Sequence, residues 1–245
     1  MTERDEFFAN LRGALGRRGA AQPPTDAGES ALSDTADDVS ARAHAIQSLI
    51  DEQSGHLMDA LSESAATAGW QVARFEALEQ AREHVITIAR DVEANLVVRS
   101  GQDVLEPDIV EAWLAPLGVD VAPMALSEDI EPSSQELRAM AERADIGITG
   151  VDYAIAETGS CVLIPSSGVS RLVSLLPPVH IAIVTRGQVL PSLDELFTLR
   201  RRDFLDGKLA SYMNLITGPS RSADIEYTLV TGVHGPGEVH MVLVG

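Results

Sequence analysis

The sequence predicts an α/β protein: a Rossmann-like mixed sheet with helices on both faces. Three observations lead there. Between residues 70 and 145 short β-like runs alternate with helical runs, the signature of mostly parallel strands joined by crossover helices. Beyond Asp145 the β-like runs follow one another too closely for helices between them, so antiparallel pairs are expected beside the parallel ones. The composition, 45% hydrophobic and 22% charged with only 4% aromatic residues, is that of a globular chain with an aliphatic core.

Each element has its own signal. Thr2 and Asp5 resemble a capping box, and Phe7, Phe8, Leu11 and Leu15 recur at helical spacing, which predicts a short amphipathic helix over residues 1–18. Residues 19–38 are rich in Ala, Pro, Asp and Ser and show no apolar period, as expected of a flexible acidic linker. The main domain is expected over 39–245. It opens with a long helix over 39–68, where Ile46, Leu49, Ile50, Leu57 and Leu61 recur at three and four. Strands are expected at 70–75, 95–99 and 119–122, and helices at 78–90, 107–117 and 134–144, the second of these opened by a proline in its first turn. Short strands follow at 146–149, 153–156 and 160–165. A short helix at 169–176 stops at Pro177-Pro178, a buried strand occupies 179–185, a helix 192–205, and the last strands 214–217 and 239–244.

Charge and motifs exclude several classes of function. The formal net charge is -19, a field that repels nucleic-acid backbones and anionic membranes. The excess is uneven: residues 1–145 carry 28 acidic against 11 basic side chains, and residues 146–245 carry 9 against 7. A site for a small anion is therefore expected in the second part. Cys161 is the only cysteine, so this chain alone provides neither a disulfide nor a ligand set for a cysteine-held cluster. Neither GxGxxG nor GxxxxGK[ST] occurs, and HExxH and GxSxG are absent too, so no cofactor is expected through a standard motif. The charged amino terminus and the lack of a long apolar run predict a soluble, cytoplasmic protein.

Four stretches carry candidate chemistry. In Ala156-Glu157-Thr158-Gly159 a carboxylate at a strand end is suited to act as nucleophile or base, although a plain hairpin turn has the same sequence. In Ser166-Ser167-Gly168-Val169-Ser170-Arg171, hydroxyls and a glycine lead into a helix with Arg171 available to clamp a carboxylate; a serine-capped helix with a surface arginine is the alternative. No Asp or Glu stands between Thr158 and Leu193, which leaves that arginine isolated among neutral residues. "TGPSRSADIE" reads as a strand end followed by a helix start, with Ser220, Arg221 and Asp224 where open α/β sheets gather ligands. His234, in "GVHGPGEVH", is suited to proton transfer or to a turn. His180 is expected to be a half-buried histidine donating to a backbone carbonyl, and Cys161 to be inert core.

"ADIGITGVDYAIAETGS", "SRLVSLLPPVHIAIV" and "TGPSRSADIEYTLVTGVHGP" together resemble the lactate-utilisation protein C family, whose shared unit is the LUD domain. The resemblance runs collinearly from about residue 39 to the carboxyl terminus, and "FFANLRGALGR" is similar to that family's start. It implies a bacterial cytoplasmic component of L-lactate oxidation to pyruvate, with two iron-sulfur partner proteins that carry the clusters. It also implies a fold similar to the sugar-phosphate isomerase and CoA-transferase group, in which a glutamate beside a glycine attacks an acyl group; Glu157 is the matching position. Thr158, Ser170, Arg171, Ser220, Arg221 and Asp224 are then expected to bind a small carboxylate, with Glu157 or His234 moving the proton. CoA-transferase-like or phosphosugar chemistry through Glu157 is the rival expectation. A non-catalytic assembly factor, docking its amino-terminal helix on a partner or a second copy, is the third.

Overall fold

The computed structural model describes Phe7, Asn10 and residues 34–105, 108–124, 134–166, 168–223 and 229–245. The expected amino-terminal helix, apart from Phe7 and Asn10, and the expected linker up to residue 33 lie outside the described residues.

Helix α1 spans Ala36–Ala68 and starts three residues before the position expected, because Thr35 and Asp38 form a reciprocal capping box. Its buried side, including Ile46, Ile50, Leu57, Leu61 and Ala65, follows the helical period. Gly69 ends it at φ +103°, a conformation that favours glycine. The strands and helices that follow are β1 (Gln71–Phe75), α2 (Leu78–Asp91), β2 (Leu96–Arg99), α3 (Ile109–Leu114), β3 (Asp120–Pro123), α4 (Ser134–Arg143), β4 (Ile146–Thr149), β5 (Tyr153–Ile155), β6 (Ser160–Leu163), α5 (Leu172–Leu175), β7 (Val179–Thr185), β8 (Val189–Leu190), α6 (Leu193–Leu205), β9 (Asn214–Ile216), β10 (Arg221–Ala223), β11 (Leu229–Thr231) and β12 (Glu238–Val244).

The fold is α/β, as expected, with a central six-stranded sheet in the order β1-β12-β7-β4-β2-β3. Every pairing in it is parallel. The expected mixing is resolved into two layers: the antiparallel pairs β5-β6 and β6-β9 belong to a separate four-stranded sheet, β8-β5-β6-β9. The four inner strands of the central sheet, β2, β4, β7 and β12, bury both faces, and their sequences show it. In β7, Ile181 and Ile183 join Ile146, Ile148 and Val97 under α2 and α3, while Ala182 and Val184 pack with α1 and the small sheet. Val98, with Val173 and Ala141, forms a third cluster under α4 and α5. Helix α5 lies directly on β4, because a Cβ at Gly147 would stand 1.8 Å from the Val173 carbonyl oxygen.

Two local expectations are corrected. The stretch from Arg221 is not a helix start: Arg221–Ala223 is a strand paired antiparallel with Leu229–Thr231. Its own backbone groups are used by the partner strand, so they present no helix amino terminus. His180 is fully buried, and its Nε2 faces the Thr149 hydroxyl at 2.9 Å, where a half-exposed ring on a backbone carbonyl was expected. Cys161 is buried in the core, and burial raises its thiol pKa.

Candidate functional site

The β5-β6 hairpin carries Glu157 and Thr158 at its tip; two contacts fix that tip against the last turns of α1, and a third ties it to Thr217 beyond β9. The Ser64 hydroxyl donates to the Ala156 carbonyl at 2.6 Å. Gly159 takes φ +66°, and a Cβ there would lie 2.4 Å from the Ala65 nitrogen, so only glycine allows the hairpin to sit this close. Thr158 Oγ1, Ser160 Oγ and Thr217 Oγ1 form a chain of hydroxyls with spacings of 2.7 and 2.6 Å. Between hairpin and helix lies an open depression of about 580 Å³, lined by Glu157, Thr158, Glu63, Ser64, Thr67 and Ala68 among others.

Arg221 comes to the same place from the far end of the sequence. Its Nη2 donates to the Ala68 carbonyl at 3.0 Å, so an exposed guanidinium stands at the carboxyl end of α1, where the helix dipole favours a cation. Gly218, at φ +78°, lets its own segment approach the Ala68 carbonyl. Glu157 and Thr158 thus line the depression beside the last turns of α1, and Arg221, 64 positions after Glu157, stands at the end of the same helix on the Ala68 carbonyl without lining that depression. The Glu157 carboxylate is exposed and Thr158 half-buried.

The other expected residues are placed as follows. Ser220 is held by its backbone, its N–H donating to the Pro236 carbonyl and its carbonyl accepting from Gly232 at 2.9 Å each. These bonds tie the loop that carries the exposed His234 to the start of β10. Arg171 sits before α5 with its Cζ 5.3 Å from the Tyr212 ring centroid, and Ser170 Oγ accepts from the Leu172 N–H at 3.3 Å. Arg171 is therefore engaged by an aromatic ring of the segment after α6, and it does not line the depression that holds Glu157 and Thr158. Asp224 lies outside the described residues.

Sequence reasoning overlooked a second concavity. Outside the carboxyl ends of β2 and β4, adjacent strands whose connections leave in opposite directions, a crevice of about 360 Å³ is lined by Gly101, Gln102, Asp103, Asp152, Ser166 and Gln188 among others. Open α/β sheets place ligands at such reversal points. Asp152 accepts from the Ile164 N–H at 2.6 Å, and burial holds its carboxyl above the usual range. Gln102 Oε1 faces the Ser100 hydroxyl at 2.5 Å, while its buried Nε2 has no partner. No motif marks these residues. The available signal was their position after a strand, at Ser100-Gly101 and Gly150-Val151.

Among the described residues, no group of three or more His, Cys, Asp or Glu side chains is arranged to hold a metal ion, and no helix is long and apolar enough to cross a membrane.

Comparison with known proteins fits this architecture. Lactate utilization protein C of Halalkalibacterium halodurans is 46% identical over 103 residues, 42% of this chain and 45% of that protein. The Bacillus subtilis protein of the same name is 44% identical over 105 residues, 42% of this chain and 44% of its own length. The one from Macrococcus caseolyticus is 40% identical over 141 residues, covering 55% and 61%. The chain thus spans about half the length of the curated relatives it matches. A crystal structure of a DUF162 family protein from Deinococcus radiodurans superposes with a TM-score of 0.51 over 78% of this chain and 98% of that one, at 19% identity, which shows a shared fold. The family model of the LUD domain matches residues 58–244, a stretch that holds the parallel sheet, the Glu157 hairpin and Arg221 alike, and the chain belongs to the LUD domain family.

Proposed function

We propose that this protein is a cytoplasmic component of bacterial L-lactate utilisation, the oxidation of L-lactate to pyruvate, acting with iron-sulfur partner proteins. In this reading it binds a small organic anion at the carboxyl end of α1. The observation that supports it is the position of Ala68, which lines the depression with Glu157 and Thr158 and whose carbonyl accepts from Arg221, in a protein whose relatives are named for lactate utilisation. A guanidinium pairs with a carboxylate through two parallel N–H donors. The exposed Glu157 is then the acceptor for the 2-hydroxyl proton, with His234, on the loop tied to Ser220, as the second candidate. Oxidation of a 2-hydroxy acid also breaks the C2–H bond, releasing a second proton to solvent and two electrons in all, which a lone buried cysteine does not hold; the electrons pass one at a time to clusters on the partners. Ser170 and Arg171 form the alternative anion contact, with Asp224 beyond the β10 strand as a further ligand contact.

Calorimetry with L-lactate and with pyruvate tests the site. Arg221→Ala is expected to weaken binding at least tenfold, while Arg171→Ala leaves it unchanged; the opposite pattern transfers the anion contact to Arg171. Lactate-dependent dye reduction by the mixture with its partners, and none by this protein alone, supports the subunit role.

A second reading, acyl-CoA or phosphosugar chemistry with Glu157 as nucleophile or base, is favoured by one observation: the Ser64 bond and the Gly159 contact hold an exposed carboxylate on a fixed turn. A covalent adduct formed with an acyl-CoA and lost in Glu157→Gln would support it.

A further inference from the structure

Helix α6 is apolar on two sides. Leu196 and Leu199 enter the core, whereas Phe197 and Phe204 are 54% and 55% exposed on another side. With Arg200 and Arg201 between them they stand at i, i+3, i+4 and i+7, one face of the helix. Leu209 and Tyr212, from the segment after the helix, line the same groove of about 600 Å³ and are exposed as well. Aromatic residues and arginine are the types that protein interfaces concentrate, and an exposed apolar surface of this kind marks an interaction site.

The charges around the groove are unequally paired. Arg200 is neutralised by Asp203 at 2.7 Å, Arg202 shares that carboxylate, and Lys208 stands 3.7 Å from Asp206. Arg201 has no carboxylate partner among the described residues; its Cζ lies 5.5 Å from the Phe204 ring centroid, and its Nε is buried without a partner. Arg171, whose Cζ is 5.3 Å from the Tyr212 ring centroid, likewise has no carboxylate partner among the described residues. Two guanidinium groups without counter-ions thus adjoin aromatic rings of one apolar groove, in a chain whose formal net charge is -19.

We propose that this groove docks a helix of a different protein, one whose apolar stripe is bordered by Asp and Glu side chains. The stripe covers Phe197 and Phe204, and the carboxylates give Arg201 and Arg171 the counter-ions that their own chain does not supply. A second copy fits less well, because a two-fold contact through this face sets like charges against each other. An anionic membrane is opposed by the net charge of the whole chain. Neither Glu157 nor Arg221 lines the groove, so docking stands apart from the anion site proposed above.

A displayed library of random peptides of about 15 residues, long enough for about four helical turns, tests this when selected on the full-length protein and counter-selected on Phe204→Asp. Phe197→Asp takes its place if circular dichroism shows that Phe204→Asp unfolds. The surviving peptides are expected to be rich in Asp and Glu, with Phe, Leu or Trp three and four positions apart. In fluorescence anisotropy a synthesised survivor is expected to bind Arg201→Glu roughly tenfold more weakly than the wild type, and to bind the wild type more weakly as salt is raised. An empty pool after counter-selection overturns the proposal, as do survivors without an acidic bias or with unchanged affinity for Arg201→Glu. A dimer by light scattering that Phe204→Asp dissolves overturns it in favour of a second copy. Sedimentation with phosphatidylglycerol vesicles that Phe204→Asp abolishes overturns it in favour of a membrane surface.

Discussion

His180 shows how much a single side chain here depends on what surrounds it. Its ring is fully buried, 6.0 Å from Trp70 by ring centroids, with Nε2 at Thr149 and Nδ1 unpartnered. Burial, aided by nearby His240, lowers its pKa to about 3. The folded state therefore holds this imidazole neutral, while the unfolded chain protonates it near the ordinary value. Stability from this group is complete above pH 6.5 and falls as the pH drops from there toward 3, by about 1.4 kcal/mol per pH unit. His84, lowered mainly by burial and then by His240, acts in the same direction. Urea midpoints of the wild type are expected to fall between pH 7 and pH 5, and His180→Gln, which keeps a partner for Thr149, should flatten the curve. An equally steep curve in the variant would assign the loss elsewhere. Asp152 works with the opposite sign: its raised pKa makes ionisation in the folded state costly at neutral pH. Asp152→Asn should thus keep the bond from Ile164 and leave stability at pH 7 equal or slightly higher, by urea midpoint.

Among the elements, the hairpin β5-β6 and helix α1 share one fate. The hairpin tip rests on Ala65 through Gly159, and the helix ends at Gly69 beneath Arg221. Gly159→Ala combines a positive φ with a clash against backbone, so it is expected to cost about 1–3 kcal/mol and to displace Glu157 from α1. Thermal unfolding together with lactate calorimetry checks both effects; an unchanged Tm would mean that the hairpin stands off the helix. Gly147→Ala tests the α5-β4 contact in the same way and should destabilise without touching the ligand, since it lies under Val173. Both glycines stand in legible motifs, Glu157-Thr158-Gly159 and "DIGITG". Only the first was read as a turn, and the partner that forbids a side chain was visible for neither, because Ala65 and Val173 are distant in sequence.

Across the whole molecule, the alternation of strands and helices before Asp145 identified the α/β class, since period and length are local properties of the chain. Most element boundaries followed from the same local rules, as for the strands at Ile146–Thr149 and Val179–Thr185. The late strands were harder. Val189–Leu190 is too short to show a period, and the strand from Arg221 exists only because Leu229–Thr231 pairs with it. The sequence by itself determined the fold class and the family likeness, and it singled out Glu157, Thr158 and Arg221 as candidates. Tertiary structure decided where each of these sits: it set Glu157 and Thr158 beside the last turns of α1, Arg221 on the Ala68 carbonyl at the end of that helix, and Arg171 on Tyr212. It also opened the crevice at Asp152 and divided the expected mixed sheet into a parallel six-stranded sheet, a four-stranded sheet and the β10-β11 pair. The physical reason is range: helix period, turn residues and charge act over a few residues, whereas site geometry depends on contacts between segments that chain order does not relate.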